Sequence, residues 1–520
     1  MELSGLDIAV IAIYAVTIIG LAQWVSREKP GHAKDTKDYF LAGKALPWWA
    51  IGASLIAANI SAEQIIGMSG SGFALGLGIA SYEWMAAITL IIVGKYFLPI
   101  FLRQGIYTMP QYLEQRYDHS VRMVMAIFWI GLYVFVNLTA ILWLGALAIN
   151  TITGLDLVYG LLLLGGFATA YSLYGGLKAV AMTDIIQVVL LVMGGMIVTW
   201  LSLDQVSGGN GALAGFAELS ARVPEKFDMI LSPDNRHYAS LPGISVLVGG
   251  MWIMNISYWG CNQYIIQRAL AAKSIAEAQK GIMMAVGLKI VMPLFVVLPG
   301  IAAVVLSPDL SAPDQAYPEM MKLVPTGIKG LVFAALIAAI LSSLGSMMNS
   351  ISTIFTMDLY HHFKPEADDK KLVTVGRIVA LSAILIAMAT AQPLLGEFDQ
   401  AFQYIQEFTG FFTPGIVVLF LLGLFWKRAT AKGALAAALG SFVLSGAFWM
   451  WWPELPFMDR VGIVFLLCTA LAVGISLMGK KQEHAEIVDL KEIDFSTSKS
   501  FNIAALATVL ILIAFYTAWW

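Results

Sequence analysis

The sequence predicts an all-α polytopic membrane protein, a single integral membrane domain over residues 1–520. Three observations carry that prediction. Of 520 residues, 59% are hydrophobic and only 12% are charged, about half the charge density of an ordinary soluble domain. About fourteen apolar stretches are each long enough, at ~20 residues, to cross the hydrocarbon of a bilayer. Lysine and arginine are distributed between the connecting loops with a strong bias to one side. Together these exclude a soluble enzyme, a nucleic-acid binder and a disordered chain, and a net charge of −3 points to no charged macromolecular partner.

The spans fall at roughly 5–26, 46–74, 79–102, 123–149, 155–173, 182–203, 242–267, 276–305, 325–358, 373–391, 396–424, 431–452, 459–479 and 501–519. Glu2 and Asp7, rather than a basic run, begin the first, so it reads as a membrane helix and not a cleaved signal peptide. With the N-terminus outside, the inner loops hold 23 of the 31 basic residues, among them Arg27, Lys29, Lys34, Lys37, Lys178, Lys480 and Lys481. The outer loops hold 6, and Lys95 and Lys289 lie within spans. The positive-inside rule then places both termini outside, in a multi-pass protein of the cell's inner membrane. Trp48, Trp49, Trp449, Trp451, Trp452, Trp519 and Trp520 cluster at span ends, as an aromatic belt does. The polar stretches 204–241 and 480–500 leave no room for a nucleotide-driven module. The run Gly67-Met-Ser-Gly-Ser-Gly72 lies inside a span with no strand before it, so it is not a phosphate loop. Cys261 and Cys468 sit in apolar segments, which excludes a disulfide scaffold and a cysteine metal cluster. The six histidines, His32 and His484 among them, fall between the spans, away from any buried metal site. No nucleophile–base–orienter set points to an enzyme.

Ionisable residues inside spans are functional candidates by default. Glu83, Lys95, Asp184, Lys289 and Glu63 are these. Lys95 and Asp184 lie near span ends, where a snorkelling or structural pairing serves equally well; Glu83 and Lys289 lie deeper. The second span reads Ser54-Leu-Ile-Ala-Ala-Asn-Ile-Ser-Ala-Glu-Gln64 and the seventh Met254-Asn-Ile-Ser-Tyr-Trp-Gly-Cys-Asn-Gln263. Each has an Asn-Ile-Ser core at mid-depth, which suits a broken helix whose unwound backbone needs polar partners. Two interrupted spans, five apart, mark a transporter binding site between inverted repeats. In the ninth span, Ser342-Ser343 either permits close helix packing or supplies hydroxyls to a sodium site, since a hard cation wants several oxygens. In the eleventh, Gln403 and Gln406 share a helix face beside Phe402 and Tyr404. They suit either interhelical amide bonding or a neutral polyhydroxyl ligand.

Along nearly its whole length the chain resembles the solute:sodium symporter family. The resemblance rests on Ala53-Ser-Leu-Ile-Ala-Ala-Asn-Ile-Ser-Ala-Glu-Gln64, Ser81-Tyr-Glu-Trp84, Gly175-Gly-Leu-Lys-Ala-Val180 with Thr183-Asp184, Asn262-Gln-Tyr-Ile-Ile-Gln-Arg268, Phe402-Gln-Tyr-Ile-Gln-Glu407 and Gly423-Leu-Phe-Trp-Lys-Arg-Ala-Thr-Ala-Lys-Gly-Ala434. It implies a LeuT-type core of two inverted five-helix repeats over about 46–424. An extra N-terminal helix at about 5–26 and extra C-terminal helices at about 431–519 would flank it. It implies sodium-driven import of a neutral hexose, galactose or glucose, by a monomer or homodimer that uses no nucleotide and binds no nucleic acid.

Carried over position by position, the resemblance implies that sugar hydroxyls meet Gln64, Glu83, Asn255, Lys289 and Gln406, with Asn59 near. Tyr258, backed by Trp259, would stack on the sugar and close the inner side, while Met68, Tyr82 and Phe402 would form the outer gate. Sodium would sit among the carbonyls of Ala57, Ile60 and Ala339 and the hydroxyls of Ser342 and Ser343, with Asp184 on its exit route. Ala86, where the family relative carries Ser, and Ser257, where it carries Tyr, bear on which hexose is preferred. Competing readings are a sodium symporter for myo-inositol or sialic acid, and a sugar-gated sensor or channel without coupled transport.

Overall fold

The computed structural model describes residues 3–25, 44–172, 176–396, 401–479 and 489–520. Arg27, Lys29, Lys34, Lys37, Lys480, Lys481, His32, His484 and Gly175 lie outside the described residues, as do the side chains of Lys178 and Thr183. Among the described residues there is no β-strand; one isolated parallel bridge joins Leu46 to Ala272.

Nine helices among the described residues are long and apolar enough to cross a membrane, and two sharply bent helix pairs raise the figure to eleven. Two further expected spans fall on shorter apolar stretches, Gly5–Leu21 and Leu157–Ala170. The seventh span is cut into the pieces Gly250–Ile256, Ser257–Cys261 and Gln263–Leu270. Among the described residues, nine of the fourteen expected segments are thus continuous helices long enough to cross, two are bent pairs, two are shorter and the seventh is in pieces.

The ninth span, Ile328–Phe363, is the axis of the molecule: 89% of its apolar window is buried, against 17% for the last, Lys499–Ala518. It packs on the sixth, Gly176–Val206, which in turn packs on the second and on the eighth, Ile275–Leu306. Small residues and hydroxyls on the ninth span (Ala338, Ala339, Ser342, Ser343, Ser346) permit these close approaches.

The start of the first helix and the end of the last lie at one end of the bundle. Asp7 Oδ1 accepts from the backbone N–H groups of Gly327 and Gly330 at 2.9 and 2.8 Å, capping the start of the ninth span. Met229 N–H donates to the Trp519 carbonyl at 2.8 Å. At the opposite end Leu46 exchanges backbone bonds with the segment 271–273, and Arg103 pairs with Glu492 at 2.7 Å.

Buried Arg116 fastens the end of the eleventh span. Its guanidinium donates to the carbonyls of Gly423, Trp426 and Ala429 at 2.8, 2.9 and 3.2 Å. Gly423 is a carbonyl that the C-terminus of Thr413–Phe425 leaves without a helical partner, and Trp426 and Ala429 lie in the turn that follows. Arg116→Met keeps the stem and removes all three bonds, which at ~1.5–3 kcal/mol per charge-assisted bond is a large loss. A lower melting temperature in detergent is expected; an unchanged one shows that the cap is not structural.

Candidate functional site

The second span breaks where the sequence indicates. Trp48–Asn59 ends at Ile60 (φ −75°, ψ 84°), and the chain resumes as Glu63–Leu75 at an angle of 57°. Ser61 satisfies the gap. Its N–H donates to the Asn59 carbonyl at 2.9 Å, and its hydroxyl accepts from Glu63 N–H at 3.1 Å and donates to Gln64 Oε1 at 3.2 Å. The Ala57 carbonyl therefore loses the helical partner that Ser61 would have supplied.

In the seventh span the break is not at Asn255-Ile-Ser, as the sequence suggested. Asn255 is helical, and its Nδ2 bonds back to the Met251 carbonyl at 3.1 Å. The helix widens into a π-turn over Ser257–Cys261 and opens at Asn262, which is extended (φ −83°, ψ 123°). Tyr133 replaces the lost helical bond: its hydroxyl accepts from Gln263 N–H at 3.0 Å and donates to Asn262 Oδ1. Gly260 lies against Phe97, whose ring would be 2.8 Å from a Cβ there, so the turn needs glycine for its close approach. A third interruption, in the eleventh span, bends Ala401–Thr409 from Thr413–Phe425 by 48°.

These breaks surround a cavity. Asn59, Gln64, Met68, Tyr82, Glu83, Asn255, Tyr258, Trp259, Lys289, Phe402 and Gln406 all line it. Glu63, a functional candidate from the sequence as a charge within a span, lines it too, with Trp129, Asn262 and Thr409, which the sequence did not foretell. The polar Asn262-Gln263 after Gly260 was the available signal. Gln403 is not among the lining residues; of the amide pair only Gln406 is.

Lys289 is fully buried and is the cationic hub of the cavity. Its ammonium donates to the Glu83 carboxylate and to Asn59 Oδ1, and lies 5.0 Å from the centre of the Trp259 ring. A buried ammonium needs such compensation. Asn59 passes the chain on, its Nδ2 donating to the Tyr258 hydroxyl at 3.0 Å, and that hydroxyl also bonds the Tyr264 hydroxyl. Gln406 Nε2 donates to Glu63 Oε1 at 3.1 Å.

Toward the end bearing both termini the cavity is shut. Met68 and Phe402 are each 1% exposed, and Tyr82 meets Phe402 edge-to-face at 5.2 Å. On the other side Tyr258 and Asn262 are half-buried, and Tyr258 stands against Trp259 at 5.1 Å. Because its hydroxyl joins the second span to the seventh, the ring alone does not account for Tyr258. Tyr258→Phe is expected to weaken the closure on this side, and Tyr258→Ala to remove it. The rate at which a water-soluble probe reaches the cavity from this side should rise in the order wild type, Phe, Ala. Equal rates for wild type and Phe show that the two hydroxyl bonds have no gating role.

Beside the second-span break, the Ser343 hydroxyl donates to the Ala58 carbonyl at 2.8 Å and lies 3.5 Å from that of Ala57. Ser342 turns instead to Asp184, donating to Oδ1 at 2.6 Å, while Ser54 donates to Oδ2 at 2.5 Å. Arg268 lies 3.6 Å from the same buried carboxylate. Ala339 stands one helical turn before Ser343, and Ile60 is the residue at which the second span opens.

A model of the Sodium:solute symporter family matches residues 39–440. Over its whole length the chain is 51% identical to the sodium/glucose cotransporter of Vibrio parahaemolyticus, spanning 99% of that protein. It is 34% identical over 84% of its length to the sodium/myo-inositol cotransporter 2 of Mus musculus, spanning 69% of that protein. Among solved structures, a Na+-coupled sialic acid symporter in a substrate-bound outward-open state superposes with a TM-score of 0.81 at 22% identity, over 93% of this chain and all of that one. Mhp1, a nucleobase-cation-symport-1 family transporter, does so at 0.51 and 15% identity, over 91% of this chain and 99% of that one. Both show the LeuT-type fold. With more than three quarters of its length inside the family model and a full-length relative at 51% identity, the chain belongs to the sodium:solute symporter family: it is a membrane transporter, not an enzyme, and sodium is its co-transported ion.

Proposed function

We propose that this protein couples inward sodium movement to uptake of a neutral hexose, galactose or glucose, by alternating access. The observation that carries the reading is the cavity between the broken second and seventh spans. Its polar groups are amides, hydroxyls, the Glu63 carboxylate and one internally paired Lys289–Glu83 couple, and its lining holds no uncompensated cation. Asn59, Gln64, Glu83, Asn255, Lys289 and Gln406 offer donors and acceptors to hydroxyls, and Tyr258 and Trp259 offer ring faces to the apolar side of a pyranose. The sodium/glucose name of the relative at 51% identity supports the same substrate class.

Sodium is held, in this reading, where the break exposes the Ala57 and Ile60 carbonyls, closed by the Ala339 carbonyl and the Ser342 and Ser343 hydroxyls; Asp184 receives the ion on its way out. Met68, Tyr82 and Phe402 form the outer gate, and Tyr258 the inner one. Both termini are outside, the core runs over about 46–424, and the remaining helices brace it. The loop charges and the shared position of the two chain ends support that orientation.

Counterflow in proteoliposomes tests the substrate. Labelled galactose should be displaced most strongly by unlabelled galactose or glucose. Stronger displacement by myo-inositol moves the protein to a second reading, which the relatives at 34% identity favour. Stronger displacement by sialic acid contradicts a neutral substrate.

A further inference from the structure

The cavity holds a second carboxylate. Glu63, buried and beside the break of the second span, lines the same space as Glu83. Lys289, the cavity's ammonium, is engaged by Glu83 and Asn59. Glu63 has a different partner: it accepts from Gln406 Nε2 at 3.1 Å. A carboxylate only accepts, so it fixes which way the Gln406 amide is turned. The amide nitrogen faces Glu63, and the amide oxygen is left for a donor.

Other amides are oriented similarly. Asn255 Nδ2 is held by the Met251 carbonyl at 3.1 Å, which leaves its oxygen as acceptor. Gln64 is the exception. Its oxygen accepts from Ser61 at 3.2 Å, so its nitrogen is the one turned out. The cavity lining therefore offers the Gln406 and Asn255 oxygens and the Glu63 carboxylate as acceptors, with the Gln64 nitrogen as a donor, and it holds two carboxylates against one ammonium. Hydroxyls, which donate, satisfy such a lining. A ligand carboxylate does not, because it brings a third negative charge into a space with one ammonium.

We propose that Glu63 is a specificity-determining residue. It positions the Gln406 amide as an acceptor and, by its charge, excludes acidic sugars from a site that takes neutral ones. The proposal rests on the sugar-symport reading above and narrows its substrate class to uncharged polyhydroxyl compounds.

Glu63→Gln is nearly isosteric and removes the charge. In counterflow with labelled galactose, unlabelled galactose and galacturonate are compared as competitors in wild type and variant. Wild type should prefer galactose by more than about a hundredfold. In Glu63→Gln that ratio should narrow by about tenfold or more, because galactose half-saturation rises while the maximal rate falls less and galacturonate gains. If transport by the variant is too slow to read, the same ratio is taken from quenching of tryptophan fluorescence in detergent, with Glu63→Asp as the charge-retaining control that keeps wild-type discrimination. An unchanged ratio in Glu63→Gln overturns the role of Glu63 and leaves sugar symport standing. Wild type that carries galacturonate as well as galactose overturns it also. Wild type that neither binds nor carries any sugar overturns both readings.

Discussion

Glu83→Ala and Lys289→Ala are each expected to lower sodium-dependent sugar uptake by more than about a hundredfold. The two side chains form a buried ion pair between the third and eighth spans. Removing either partner leaves the other as an uncompensated charge in the cavity, a loss of roughly 3–5 kcal/mol, and each 1.4 kcal/mol is a factor of ten. Lys289→Ala also frees Asn59 Oδ1 and should, through the Asn59–Tyr258 bond, loosen the packing of Tyr258 over the cavity. Initial rates in proteoliposomes check this, with size-exclusion profiles to confirm folding. The exchange Glu83→Lys with Lys289→Glu restores the pair in reverse and should recover folding more than sugar uptake, since the hydroxyl contacts would be transposed. Near-normal uptake by either single variant removes the pair from the sugar site.

Ser343→Ala is expected to abolish sodium-driven accumulation while equilibrium sugar binding without sodium falls much less. The hydroxyl lies against the Ala58 and Ala57 carbonyls at the break of the second span, the place where an ion contacting both the second and ninth spans would bias one arrangement over another. A ligand shifts a conformational equilibrium only through differential affinity for the two states. Loss of one oxygen ligand therefore removes the coupling and not the cavity. Alanine is smaller than serine and this stretch already contains Ala338 and Ala339, so the helix packing survives. Uptake and binding measured in sodium and in choline separate the two effects. Normal sodium dependence in Ser343→Ala sinks the assignment of this residue to the sodium site.

The spans were legible because hydrocarbon demands about twenty apolar residues, and little else in a sequence imitates that. The break at Ile60 was legible because Asn59, Ser61, Glu63 and Gln64 interrupt an apolar run. Glu83 and Lys289 were each visible as charges in apolar helices. Their pairing was not, since they stand 206 residues apart and only packing brings them together. The same Asn-Ile-Ser signal misled in the seventh span. There Asn255 bonds back to its own helix, and the opening moved to Asn262, where Tyr133, 129 residues away in the fourth span, could take over the lost backbone bond. The bend of the eleventh span stayed hidden because Phe411 and Phe412 keep the stretch apolar across it, although Gly410 and Pro414 punctuate it. Nor does spacing tell that Ser342 turns to Asp184 while Ser343 turns to the second span, because adjacent helical residues point about 100° apart and which neighbour each meets is a tertiary fact.

The most direct measurement is uptake of labelled hexose by purified protein in sodium-free liposomes, diluted into sodium or into choline. Coupled symport predicts transient accumulation of the sugar above its outside concentration in sodium only, abolished when an ionophore collapses the sodium gradient. Uptake that merely equilibrates, at the same rate in sodium and in choline, would contradict coupling and would leave a sugar-gated channel or sensor in its place.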